Sequence, residues 1–138
     1  MENSNERPLG WTTAEDAKKL VDAGLNPDTA DMYWAPDAGT VVPTPYITKT
    51  DNETLIPAYK GAIPCWSLGV LIQMLPSNIQ TGDSFLDEYD LEFKLHPSYM
   101  LAYCISQSHH PMVFTEKHET LIEACVEMVL WLIENKLI

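Results

Sequence analysis

Apolar residues recur along this chain with two periods, and the change from one to the other predicts its elements. Ala14, Ala17, Leu20 and Val21 repeat at helical spacing. Ahead of them, Thr12-Thr13-Ala14-Glu15 has capping-box spacing, with Thr12 accepting from first-turn amides and Glu15 reaching back. Gly24 is placed to end this helix in the left-handed conformation. Asn26-Pro27-Asp28 then predicts a second start: Asn caps, Pro takes the first helical position, Asp favours the positive end. That helix is expected over residues 27–34, until Pro36-Asp37-Ala38-Gly39 breaks it. Residues 40–63 are less regular. Val41-Val42, Tyr46-Ile47-Thr48 and Thr54-Leu55-Ile56 are strand-like, but Pro43, Pro45 and Pro57 limit them to short edge strands or an extended connection.

A middle helix is expected over residues 64–75, opened by Pro64 and closed by Pro76. Gly69 weakens it by about 1 kcal/mol relative to Ala, which suggests close packing against a neighbour. Residues 77–88 read as a loop. The period then falls to two: Tyr89, Leu91, Phe93 and Leu95 share one face of a strand over residues 89–95. His96-Pro97-Ser98 turns the chain into a second strand over 99–106, apolar on both faces and hence more central. After a turn at 107–111, residues 112–114 form a short third strand, completing an antiparallel meander.

The closing helix starts near Thr120, where Thr120-Leu121-Ile122-Glu123 repeats the capping-box spacing. With Glu123 at zero and about 100° per residue, Glu134 and Glu127 fall near 20° and 40° and Leu130 near −20°. The rest of the circumference, from Ala124 through Leu132, Cys125, Val129 and Ile133, is apolar. A helix with one narrow glutamate stripe is buried on most sides. The expected fold is thus α+β: an N-terminal helical hairpin, a middle helix, and a three-stranded antiparallel meander closed by a mostly buried C-terminal helix. Residues 1–10 read as a flexible tail and residues 11–138 as a single domain.

Composition narrows the function classes. The chain has 138 residues, 46% of them hydrophobic, with 20 acidic against 8 basic side chains and a net charge of −12. Such a surface repels phosphate backbones and anionic lipid, so neither nucleic acid nor membrane is an expected partner. The opening residues lack a secretory pattern, and no apolar run approaches the roughly 20 residues of a membrane span. Three cysteines without close pairing, Cys65, Cys104 and Cys125, fit a reducing compartment. A cytoplasmic protein is expected.

Few constellations offer chemistry. His109, His110 and His118, near Glu116 and Glu119, are the only candidates for metal ligands, and their spacing matches no established ligand pattern. The cysteines all fall in expected core elements, where a thiol is a poor nucleophile. Asp90, Glu92 and Lys94 share the solvent face of the alternating strand, so the Asp87–Glu92 carboxylates lack the apolar pocket that acid–base work requires. The N-terminal helices have the outline of a helix-turn-helix, but the would-be reading helix carries no basic residue. No cofactor motif is present.

Three segments, residues 13–34, 63–76 and 120–136, together resemble a group of short proteins of gut bacteria and their prophages or mobile elements. The resemblance is carried by Trp66-Ser67-Leu68 in a helix ending in Leu75-Pro76, and most specifically by Glu127-Met128-Val129-Leu130-Trp131-Leu132. It implies a biological context but no activity and no catalytic residue. The function expected is a non-enzymatic accessory or protein-interaction module of a bacterial or phage-derived element, binding a protein partner or a second copy of itself. Leu130, Trp131, Trp66 and Trp34 are the expected interaction residues. The alternatives are an acidic nucleic-acid mimic and a small hydrolase or metal-dependent enzyme.

Overall fold

The computed structural model describes residues 10–34, 43–44, 63–81, 88–106 and 108–138. Its elements are α1 (Ala14–Ala23), a 3₁₀ turn (Pro27–Thr29), β1 (Met32–Trp34), β2 (Pro43–Thr44), β3 (Ile63–Cys65), α2 (Leu68–Met74), β4 (Asn78–Gln80), β5 (Glu88–Lys94), β6 (Met100–Ile105), β7 (Pro111–Phe114) and α3 (Leu121–Glu134). The fold is α+β, with two antiparallel sheets ordered β2-β1-β3 and β4-β5-β6-β7. Contacts group the chain into two compact units, Met1–Val70 and Leu71–Ile138. Among the described residues, no helix is long and apolar enough to cross a membrane.

In the first unit, α1 ends at Gly24 with φ 111°, the left-handed cap that the glycine allows. Its N-cap is Thr13, whose hydroxyl accepts from the Asp16 amide, and not Thr12. Thr12 is fully buried and has a different task. Its hydroxyl accepts from the Trp66 amide at 3.1 Å, and its carbonyl accepts from the Trp34 indole at 3.1 Å. A buried polar residue survives only when its groups are paired, and here Trp34 of β1 and Trp66, just after β3, supply the partners.

The helical hairpin expected at this end does not form. Asn26 caps as its sequence suggests, but the helix lasts one 3₁₀ turn, and Met32-Tyr33-Trp34 runs extended. Tyr and Trp suit a pleated, half-buried surface. Pairing of Met32 with Cys65 and of Trp34 with Ile63 buries all three β1 side chains. β1 is the central strand, while Pro43 and Pro64 sit on the two outer ones, where a missing N–H costs no ladder bond. Strand β3 also takes the residues expected to begin the middle helix. That helix starts at Leu68, after Ser67, whose hydroxyl accepts from Val70 N. The remaining strand-like segments at 41–42, 46–48 and 54–56, and the tail before Gly10, lie outside the described residues.

In the second unit the meander forms as β5-β6-β7, with a fourth strand, β4, inside the expected loop. The β5–β6 register sets Leu91 opposite Tyr103 and Phe93 opposite Leu101, as the alternation requires. Helix α3 packs against β6, and Trp131 stacks on Tyr103 with ring centroids 6.4 Å apart. Its start is the expected capping box: the Thr120 hydroxyl accepts from Glu123 N, and the Glu123 carboxylate accepts from Thr120 N. Ile122, Ala124, Cys125, Val126, Met128, Val129 and Leu132 are buried, an arc of about 200° at 100° per residue. Glu123, Glu127, Leu130 and Glu134 lie outside that arc, so the glutamate stripe is where the pattern sets it.

Gly69 has no close neighbour: an added Cβ would meet nothing within 4 Å, contrary to the packing its position suggests. Gly69→Ala therefore removes backbone entropy from the unfolded chain without a clash, and should stabilise by up to about 1 kcal/mol. Urea melts of both proteins check this; a loss of stability would show that the site is tighter than the open space around it.

Candidate functional site

The β5–β6–β7 register sorts side chains to two faces, because directly opposed residues share a side. One face carries Leu91, Leu101, Tyr103 and Val113, and lies toward Trp131 of α3. The opposite face carries Glu88, Asp90, Glu92 and Lys94 on β5, Met100, Ala102 and Cys104 on β6, and Pro111 and Phe114 on β7. A groove of about 390 Å³ opens on this second face. Its apolar lining includes Met100, Ala102, Pro111 and Phe114, with Glu92, Lys94 and His109 as the polar members.

Large apolar side chains stand in water at several places on this sheet. Phe114 is 57% exposed and Met112 37%, while Leu95 and Phe93 at the end of β5 are 53% and 40% exposed. The period-two pattern assigns Tyr89, Leu91, Phe93 and Leu95 to a buried face, but Tyr89 and Leu91 are only half-buried and Phe93 and Leu95 are exposed. Single exposed apolar residues are ordinary; a set of them gathered on one sheet is a surface feature.

His109 closes the groove from the β6–β7 turn. Its backbone is left-handed, φ 62°, and its amide donates to Ile105 O. This turn brings imidazole Nδ1 within 2.7 Å of the Glu92 carboxylate. The hydrogen bond and charge of Glu92, with Asp90 adding to them, raise the His109 pKa above its ordinary value. Beside them the Cys104 thiol is also pushed up, first by burial and then by Glu92 and Asp90. Such a thiol stays protonated, the reverse of what a nucleophile needs.

The other cysteines are no better placed. Burial pushes Cys65 up to about 11 and Cys125 up to about 12. The histidines named as metal candidates do not gather. His109 belongs to Glu92, and His110 is exposed at the end of the turn. His118 instead bridges Tyr99 through both backbone groups and places Nε2 2.7 Å from Glu127 of α3. Glu127 also accepts from the Glu116 amide at 3.0 Å, so part of the glutamate stripe fastens the chain leaving β7. Among the described residues, no group of three or more His, Cys, Asp or Glu side chains could hold a metal ion.

The four residues named for interaction divide. Trp66 and Trp34 are buried, the first donating to Thr29 Oγ1 and the second to Thr12 O, so their side chains hold the first unit together. Leu130 and Trp131 are half-buried on α3. The residues that do form an apolar surface, Phe114 and Met112 above all, come from the short third strand. Glu88, Asp90 and Glu92 make one short row of carboxylates beside apolar residues, in which Asn78 donates to Asp90 and His109 pairs with Glu92.

No known protein family, curated protein or solved structure matches this chain.

The His109–Glu92 pair is directly measurable. Its contribution is full below about pH 6.5, the ordinary imidazole pKa, and is lost as pH rises through the raised value. An NMR titration should place the His109 midpoint above the ordinary range and return it there in Glu92→Gln. A midpoint at or below that range, or one indifferent to Glu92→Gln, would rule the pair out in solution.

Proposed function

We propose that this protein is a non-enzymatic protein-interaction module, and that the face of the four-stranded sheet opposite α3 is its binding surface. The observation that carries this reading is the groove of about 390 Å³, lined by the exposed Phe114 and by Met100, Ala102 and Pro111. Removing such apolar surface from water contributes about 25 cal/mol per Å² toward association, against which the entropy lost on binding is set. The thiols held protonated and the histidines held apart also favour binding over catalysis. A bacterial or phage-derived element is the context that the three resembling segments imply, and three cysteines without close pairing fit a cytoplasmic setting.

Nile red, a neutral dye that brightens on apolar surfaces, tests the face itself. Native protein should enhance its fluorescence several-fold, and Phe114→Ser should remove most of that enhancement while leaving the urea midpoint nearly unchanged. Dye uptake that is absent from the native protein, or equal in Phe114→Ser, contradicts the assignment.

A further inference from the structure

The open sheet face is divided lengthwise. β5 carries Glu88, Asp90 and Glu92 in a row, followed by Lys94, and β4 beyond it adds only the polar Asn78 and Gln80. β6 and β7 carry Met100, Ala102, Pro111 and Phe114. An acidic lane therefore runs beside an apolar lane, both parallel to the strands. Resting on the interaction reading above, we propose that this face receives a cationic amphipathic helix of a partner protein. The helix lies along the strands, with its apolar ridge over β6 and β7 and its Lys or Arg side chains over the β5 carboxylates.

Dimensions favour a helix. Three adjacent strands span about 10 Å between the outer axes, close to the roughly 10–12 Å diameter of a helix with its side chains. Alternate residues on a strand stand about 6.7 Å apart, and helix positions i and i+4 are separated by about 6 Å of rise. Cations at i, i+4 and i+8 can thus follow Glu88, Asp90 and Glu92. A partner strand added to the edge of β7 would instead lie about 14 Å from β5, three strand spacings away, beyond the reach of a lysine.

Charge selects the partner. Asp90 takes a hydrogen bond from Asn78, Glu92 takes one from His109 and one from the Cys104 thiol, and a carboxylate accepts about four in all. Both retain capacity for a cation. The net charge of −12 draws a basic segment toward the whole molecule. A second copy of this chain fits less well. Its described α1 lysines, Lys18 and Lys19, lie within 4.0 Å of Asp22 and Asp16, and α3 carries no basic residue.

The test uses the full chain and two 18-residue helical peptides with the same leucine ridge, one flanked by arginines and the other by glutamates. The arginine peptide should bind, with amide shifts grouped at residues 88–94, 100–104 and 111–114. Affinity should fall about tenfold or more in the Asp90→Asn, Glu92→Gln double variant and as salt rises. Equal binding of both peptides, shifts outside these strands, or an unchanged affinity in the double variant would overturn the proposal. If neither peptide binds while native protein still brightens Nile red through Phe114, the helix assignment fails and the interaction reading survives. If the dye response is absent as well, both fail.

Discussion

Seven side chains on one arc of α3 have to be kept from water, and the second unit is arranged around that requirement. Each large apolar side chain contributes about 1.5–3 kcal/mol when fully buried, more than any surface ion pair can return. The inner face of the sheet answers with Leu101 and Tyr103, both fully buried, and with the Tyr103–Trp131 stack. Tyr103 also places its hydroxyl 2.7 Å from Pro76 O, so its polar end is satisfied. Once alternation commits one set of side chains to the helix, the other set faces the opposite way. The acidic and apolar lanes are the consequence.

The polar contacts around α3 fix the limits of this arrangement. The capping box at Thr120 sets where the helix begins, and Glu127 ties it to His118 and to the Glu116 amide just beyond β7. Thr115, also buried, exchanges bonds with Leu101 through its amide and its hydroxyl. β7 is thereby held at its C-terminal end while its own side chains stay largely outside.

Legibility followed the strength of local signals. Helix α3 was readable to its cap because the capping box, glutamate stripe and apolar arc all agree over fourteen residues. The β5–β6 pair was readable because strict alternation has one geometric solution. The segment at residues 26–34 misled because its cap signals are local, whereas Met32–Trp34 gains more from pairing with Ile63–Cys65, far away in sequence. Thr12 misled for the same reason: its spacing fits a cap, but its partners are Trp34 and Trp66. The candidate site was only partly legible. The polar face of β5 could be read from alternation, and His109 was singled out, but as a metal ligand and not as the partner of Glu92. The exposure of Phe114 and Met112 had no signature, since an apolar strand residue reads as core until its neighbours are known.

The central claim is that one sheet face is used by α3 while the other stands open. Solvent paramagnetic relaxation, read by NMR with a soluble gadolinium chelate, tests it most directly. The account predicts strong broadening at Phe114 and Met112 and protection at Leu101, Tyr103, Val129 and Leu132. Protection of Phe114 and Met112 comparable to that of Leu101 would mean that the face is covered, and would contradict the account.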